Sequence, residues 1–584
     1  MLFMKVQLEQ VFVSVLTSLG VTTPKVSFEH PEVIAHGDYA TSVALAYAKQ
    51  LGVKPRELAE KIVDALQAGP LKGATLSTFI EKIDIAGPGF INIHLSKQFF
   101  AEALATIETQ GDAFGVNGRL KGQKVMVEYT DPNPFKVFHI GHLMSNAVGE
   151  SIACLVAASG AKVVRANYQG DVGLHVAKAV WGMQSLNANA TLSQLQKLPS
   201  AEQVAFIGKA YVHGAEQYEA DKSAEAEIQI INQAVFDRRT PEVNVLYDWG
   251  RKVTLDHFEL IYKKLGTNFD HYFFESEVAK DGLEEVRAGR GKGVFVESEG
   301  AVVFKGEEHG LHTRVFINSR GLPTYEAKEL GLAKQKFAKV KPDLSIVVTA
   351  NEQNEYYKVF MRALFLLHPE IAERTKHVSH GMMRFASGKM SSRKGNVVAG
   401  EVLLAEAEAM VAEKIKDRGF DAPTATAVKE KVAVGAIKYS VLKSAAGSDI
   451  VYDPEKAVSF EGDSGPYLQY SYARALSVLR KPEAEVLMKQ FLDIPASVEI
   501  SQLEKILYRF PEVVDRAAGS FEPHFVTDYL TQLAGAFNAF YTNNQIINHA
   551  DTATSSYRLR LTRAFATVMK NGLALIAIPA VERM

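Results

Sequence analysis

Two segments 250 residues apart hold side chains suited to phosphate chemistry. The first, His139-Ile140-Gly141-His142, follows an apolar run, Val125-Met126-Val127-Glu128-Tyr129, and a loop with two prolines. After it, apolar residues recur with helical spacing through Ala147, Ile152 and Leu155. The pattern predicts a strand, a loop and a helix from about 141 to 159, which sets the two imidazoles one turn apart at the helix N-terminus. A helix N-terminus already favours an anion through its dipole and free N–H groups. Imidazoles there can donate hydrogen bonds to nucleotide phosphates as charge moves onto them in a transition state. Taken alone the tetrapeptide is a weak signal, and chance occurrence is the competing reading.

The second segment is Lys389-Met390-Ser391-Ser392-Arg393-Lys394-Gly395-Asn396. Serine and glycine between cations make a loop that can close ammonium groups over a triphosphate, stabilising a pentavalent phosphorus and a leaving pyrophosphate. A solvated basic surface loop is the bland alternative. Against it, the chain from Arg374 to Asn396 carries six Lys or Arg and no acidic residue, a polarity that a neutral surface would not need.

The elements that must position these groups include a second strand, Val163 to Asn167, which completes a βαβ unit and predicts a parallel nucleotide-binding sheet. Sheet character resumes at Val315-Phe316-Ile317 and at Ile346-Val347-Val348. Between the halves, about 184 to 310 is more polar and mostly helical, an expected insertion ending in a hairpin around Ser298-Glu299-Gly300. Residues 1–117 combine helical spacing (Leu8, Val11, Phe12, Val15, Leu16, Leu19) with alternation at Ile83, Ile85 and at Phe90, Ile91, Ile93, which predicts a small α+β domain. The polar stretch Asn117 to Lys124 reads as a linker. From 401 the pattern is almost wholly helical: a connecting segment to about 460, then an all-α module over 461–584. The expected fold is multidomain α/β, with a Rossmann-like parallel-sheet core over 118–400 between the α+β domain and the helical bundle.

Composition bounds the function. A length of 584 residues exceeds what one core supports, and 47% hydrophobic with 23% charged residues describes folded globular protein. The net charge of -2 is silent on RNA, because binding depends on where cations cluster. A single cysteine, Cys154, excludes an intrachain disulfide and a cysteine-rich zinc site, and fits a reducing compartment. The apolar start from Val11 to Val21 is too short to span a bilayer, and Lys5 and Glu9 are unlike a signal peptide, so a cytoplasmic protein without membrane contact is expected.

Together, in this order, the two segments resemble HIGH and KMSKS, the signatures of the class I aminoacyl-tRNA synthetases. Within that class the chain is similar to the arginyl enzymes through Glu128-Tyr129-Thr130-Asp131-Pro132-Asn133, Asn167-Tyr168-Gln169-Gly170-Asp171 and Phe269-Asp270 with Glu275-Ser276. The likeness continues through Gly465-Pro466-Tyr467-Leu468-Gln469-Tyr470 to the ending Glu582-Arg583-Met584. It implies activation of L-arginine by ATP with Mg2+ and transfer to tRNA(Arg), by a chain expected to be a monomer without structural zinc. It implies ATP contacts from His139, Gly141, His142, Lys389, Met390, Ser391 and Ser392. The second lysine of KMSKS falls on Ser392 here. Arginyl enzymes of this type resemble one another in a lysine three residues before HIGH, and Lys136 holds that position, so Lys136 with Lys389 and Lys394 is expected to supply the missing charge.

A pocket for arginine must neutralise a planar guanidinium, which carboxylates do in bidentate geometry. Glu128, on the first strand, is placed for this, and its alternative is a salt bridge to a protein Arg or Lys. The resemblance adds Tyr325 and Glu329, one turn apart, Glu329 standing where the family more usually has Asp. It also adds Asn133 near the α-amino group, and Gln353. For Tyr325, packing on its helix is the alternative. The helical C-terminus resembles the family's anticodon-binding domain, with Tyr470, Arg474 and Tyr541 as tRNA contacts. The N-terminal domain resembles the one that touches the tRNA elbow, with Phe90 and Asn92 as contacts.

Three rival readings are a synthetase for another amino acid, an HxGH nucleotidylyltransferase and a non-catalytic tRNA-binding relative. Glu128 with Glu329 opposes the first, the helical C-terminus the second, and the intact HIGH and lysine loops the third. Gly289-Arg290-Gly291-Lys292-Gly293 lacks the spacing and preceding strand of a phosphate loop and reads as a turn.

Overall fold

The computed structural model describes residues 2–31, 33, 36–71, 75–186, 192–386, 399–490 and 493–584. In the N-terminal domain, helices Leu2–Ser18, Pro55–Ala68 and Lys97–Gln110 accompany an antiparallel sheet of β1 (Tyr39–Thr41), β2 (Ile80–Ala86) and β3 (Phe90–Leu95), ordered β1-β3-β2. Ile91 and Ile93 alternate into a core with Phe12, Leu16, Leu58 and Ile62. That core is completed from far along the chain by Tyr508, whose ring meets those of Tyr39, Phe99 and Phe100.

The central domain runs through β4 (Lys124–Glu128), β5 (Lys162–Gln169) and β6 (His271–Phe274). A small antiparallel sheet follows, of β7 (Val296–Ser298), β8 (Ala301–Phe304) and β9 (Arg314–Ile317), and then β10 (Leu344–Ala350) and β11 (Thr375–His380). The last two return to the far side of β4, giving a parallel sheet in the order β11-β10-β4-β5-β6. The chain reverses direction across the sheet between β4 and β10, so the crevice outside their C-terminal ends is where such a fold takes ligands. Along β4, Val125 and Val127 pack into the core shared with helix Ile140–Ala158, while Met126 faces the cluster containing Leu332 of helix Tyr325–Lys339. Glu128 follows Met126 to that second face.

Two expectations change. β6 lies inside the span read as an insertion, yet it pairs with β5 as an edge of the central sheet. Four residues are too few to show a period. β9, read as resumed central sheet, instead pairs antiparallel with β8. The hairpin before it turns through Glu299 (φ 53°) and Gly300 (φ 78°), the left-handed pair of a two-residue turn. The remaining insertion is helical, at Leu174–Leu186, Ser200–Ala220, Lys222–Asp237 and Pro241–Leu265. Gly289 to Gly291 end helix Glu275–Gly291, and Gly293 turns the chain with φ 76°.

The C-terminal region is not wholly helical, since β12 (Met383–Phe385) pairs in parallel with β13 (Ile450–Tyr452). Its main helices are Gly400–Ile415, Ala422–Leu442, Gly465–Leu479, Phe510–Ser520, His524–Asn543 and Thr552–Leu575. One apolar core runs from Val125 through Ile152 and Val432 to Leu573, so the bundle is fused to the sheet rather than tethered to it. Lys438 fastens the junction, donating to the carbonyls of Leu265 (2.7 Å) and Ala577 (2.8 Å).

Candidate active site

His139 is the N-cap of helix 140–158. Its Nδ1 accepts the Gly141 N–H at 3.1 Å, while its own backbone N–H donates to Nδ1 of His142 at 3.1 Å. The rings stack with centroids 3.6 Å apart. Because both Nδ1 atoms accept from the backbone, each ring keeps its proton on Nε2 and offers it outward as a neutral donor. Burial and the Lys136 charge hold the pKa of His139 down, and burial with His139 and Lys136 holds that of His142 well below the usual imidazole range.

Lys136 is half-buried, its ammonium lies 5.7 Å from the Tyr211 ring centroid, and its charge acts on His139, His142, His175 and Glu275. Lys389, Met390, Ser391, Ser392 and Lys394 lie outside the described residues. Both flanks of that segment are anchored. Before it, the Ala386 N–H donates to the Tyr452 carbonyl at 3.0 Å; after it, Ala399 bridges His139 and the Gly400 N–H donates to the Phe138 carbonyl at 2.7 Å.

Beside the histidines, carboxylates converge. Glu128 pairs with Lys336, Oε2 to Nζ 2.5 Å. Glu275, which opens the helix after β6, pairs with Lys328, and both are buried. Glu329, within helix Tyr325–Lys339, is 9% exposed, and its carboxylate makes no hydrogen bond or ion pair among the described residues. Asp131 accepts the Tyr168 N–H at 2.8 Å. Burial, with Glu128 and Glu275 nearby, pushes the Glu329 pKa up against the pull of Lys336. Burial and Glu128 raise that of Asp131 as well. Among the described residues, four carboxylates therefore face the ammonium groups of Lys328 and Lys336, with the charge of Lys136 also reaching Glu275.

Tyr325 is 57% exposed with Lys328 Nζ 4.7 Å from its ring centroid, so it is not a packing aromatic. Asn133 accepts the Gly170 N–H at 3.1 Å, and a Cβ on Gly170 would come 2.3 Å from that oxygen. Gln353 is exposed in the turn after β10. The structure thus brings Glu128, Asn133 and Glu329 to one end of the sheet, and gives one oxygen of Glu128 to a protein lysine. Sequence reasoning missed Asp131, Lys328 and Lys336 as site residues, and gave Glu275 no role. The signal for Lys336 was its spacing, seven residues after Glu329 on one helix face.

The loop that makes this possible is strained. Thr130 (φ 81°), Asp131 (φ 47°) and Phe135 (φ 67°) all adopt left-handed backbone, which costs about 1–3 kcal/mol per residue. Thr130 is held by the Ser145 hydroxyl, which accepts its N–H at 2.9 Å, and by Asn146, which donates to its Oγ1 at 3.0 Å. The turn sets Asp131 and Asn133 against the end of β5.

Away from the crevice, Tyr470, Arg474 and Tyr541 form one cluster. The Arg474 guanidinium lies 4.7 Å from the Tyr470 ring centroid and 5.2 Å from that of Tyr541. Phe460 stacks on Tyr470, and Arg418 lies 5.9 Å from the same ring. In the N-terminal domain Phe90 is exposed, whereas Asn92 is buried within the central strand β3, so of the two only Phe90 presents its side chain to solvent.

A HIGH tetrapeptide capping the helix behind the first strand of a parallel sheet, at the switch point, with a helical bundle fused to it, is the arrangement of a class I aminoacyl-tRNA synthetase. Residues 106–453 match the family described as tRNA synthetases class I (R), catalytic domain. Residues 468–584 match the DALR anticodon binding domain and residues 6–95 the arginyl tRNA synthetase N terminal domain. The chain is 32% identical to the arginine–tRNA ligase of Treponema pallidum, over 95% of its own length and 94% of that protein. It is likewise 32% identical to that of Clostridium acetobutylicum, over 94% of each. Its fold is similar to the arginyl-tRNA synthetases of Thermus thermophilus (TM-score 0.75, 23% identity, 99% of this chain and 100% of that one) and Plasmodium falciparum (TM-score 0.78, 18% identity, 99% of each). The chain belongs to the arginyl-tRNA synthetase family.

Proposed function

We propose that this chain activates L-arginine with ATP and transfers it to the 3′-terminal ribose of tRNA(Arg). The observation that carries the substrate is the unbalanced pocket, in which, among the described residues, the carboxylates of Glu128, Asp131, Glu275 and Glu329 outnumber the ammonium groups of Lys328, Lys336 and Lys136. A guanidinium brings one positive charge and a planar fork of N–H donors, whereas an apolar side chain would leave Glu329 and Asp131 unmatched. Tyr325 and Gln353 border the pocket in this reading, and the second lone pair of Asn133 Oδ1 accepts from the α-ammonium.

In the first step the arginine carboxylate attacks the α-phosphate in line, and the bond to pyrophosphate breaks. The attacking oxygen is already ionised, so no general base is needed. His139 and His142 donate to the phosphates through Nε2, above the N-terminus at Gly141. Lys136 takes up charge with Lys389 and Lys394, and Met390, Ser391 and Ser392 border the nucleotide. Mg2+ enters on the ATP phosphates as part of the substrate. In the second step the ribose 2′-hydroxyl attacks the arginyl carbonyl and AMP leaves. The Tyr470, Arg474 and Tyr541 cluster suits unstacked anticodon-loop bases, and Phe90, with Asn92 supporting its strand, suits the tRNA elbow.

We read the working unit as a cytoplasmic monomer without membrane contact. Helix 140–158, which by length and composition could cross a bilayer, is 78% buried inside the fold. The deciding experiment is ATP–pyrophosphate exchange with each of the twenty amino acids, with and without bulk tRNA. Exchange is expected with arginine once tRNA is present; exchange with another amino acid and none with arginine overturns the reading. Sedimentation at micromolar concentration tests the monomer.

A further inference from the structure

Tyr168 stands near the C-terminal end of β5, against the cluster that contains Met126, Val164, Ala166 and Phe273. Its backbone is fixed by the bond to Asp131. Its hydroxyl is shut off from solvent and has no hydrogen-bond partner among the described residues. The charged groups that act on it are the carboxylates of Glu275, Glu329 and Glu128, which come from three different elements. Glu128, paired with Ala166 on the neighbouring strand, shares the sheet face of Tyr168, and a buried phenol there that bonds to no carboxylate is unusual, because buried hydroxyls are nearly always paired. On either side of Tyr168, Asn167 and Gln169 each donate to the Tyr262 hydroxyl at 3.2 Å, while their amide oxygens, like the Tyr168 hydroxyl, are buried without a partner among the described residues.

We propose that Tyr168 is a specificity-determining residue for the guanidinium of the substrate, accepting one of its N–H groups while donating its own O–H to Glu329. The assignment rests on the reading of this pocket as the arginine site. A bound guanidinium supplies the donor that the phenolic oxygen lacks, and the O–H donated to Glu329 holds that carboxylate ionised opposite the cation. A primary ammonium presents its three N–H groups in a cone and cannot offer two parallel donors in one plane. Tyr168 therefore also separates arginine from lysine.

The test is Tyr168→Phe in the full chain with tRNA. Its readouts are arginine KM and kcat, thermal midpoint, and inhibition by agmatine, which keeps the guanidinium but lacks the carboxylate, and by norleucine, which has the reverse. The arginine KM and the agmatine inhibition constant are expected to rise about tenfold, as for loss of a bond to a charged group. The kcat should stay within about twofold, norleucine inhibition should not change, and the thermal midpoint should hold or rise, because the variant removes an unpaired buried hydroxyl. Wild-type exchange with arginine together with an unchanged agmatine constant in the variant overturns this assignment alone. No arginine-dependent exchange in the wild type overturns the pocket reading beneath it.

Discussion

Lys336 sets its ammonium 2.5 Å from Oε2 of Glu128, with the two side chains 4% and 1% exposed. The pair holds a negative charge at the end of β4 without leaving it unmatched, and it keeps Lys336 from repelling a cationic ligand. Glu128→Gln removes the charge and keeps the shape, leaving a buried ammonium beside the proposed guanidinium site. We expect a rise in arginine KM of about tenfold or more, a much smaller change in the KM for ATP, and a loss of roughly 3 kcal/mol of stability. Exchange kinetics and denaturant melts measure these. Equal effects on both substrates would remove Glu128 from the pocket.

Glu329 gives the pocket a pH signature. Burial raises its pKa above the unfolded carboxylate value near 4.5, so as pH rises between the two the unfolded chain loses its proton first and folding stability falls. A guanidinium lowers the pKa again. Arginine binding should therefore release protons near neutrality, and arginine KM should fall as pH rises toward the raised pKa. Calorimetry in two buffers of different ionisation enthalpy reads the release directly. Glu329→Gln should abolish it, and zero release in the wild type would show that Glu329 does not face the ligand.

His139 and His142 are predicted to work as neutral donors. Replacing either by Ala should slow pyrophosphate exchange by about 100-fold or more while leaving the KM for arginine little changed. Because both pKa values are held below the ordinary imidazole range, acidification from pH 8 to 6 should not speed adenylate formation. An acid-side rise would mean that the imidazolium is the active form.

The readable parts of this protein were those with a local period. The βαβ unit around HIGH, the hairpin at Glu299-Gly300 and the helix carrying Tyr325 and Glu329 all follow from spacing. β6 was missed because four residues carry no usable alternation, and β9 was assigned to the wrong sheet because strand pairing is a tertiary choice. No propensity predicts left-handed Thr130 and Phe135, which persist only because Ser145, Asn146 and Thr254 hold them. The partner of Glu128 was open in the sequence between substrate and protein cation, and only the packing of helix 325–339 on β4 identifies Lys336.

Domain coupling was equally invisible in sequence, and Glu512 is its most testable part. It accepts the Tyr39 hydroxyl at 2.6 Å and lies 3.1 Å from Nε2 of His30, joining helix 510–520 to the N-terminal domain that carries Phe90. Burial would raise its pKa, but the bonds from His30 and Tyr39 outweigh burial and leave it lowered. A depressed carboxylate contributes stability above its unfolded pKa and loses it as pH falls through the folded one. Glu512→Gln should therefore cost about 1–2 kcal/mol, and the gap from wild type should stay constant from pH 8 to 5 and close only under stronger acid. If the N-terminal domain holds tRNA, the same variant should raise the KM for tRNA several-fold while the KM for ATP is unchanged. A stability gap that already closes between pH 8 and 6 would show that the Glu512 carboxylate does not carry the coupling.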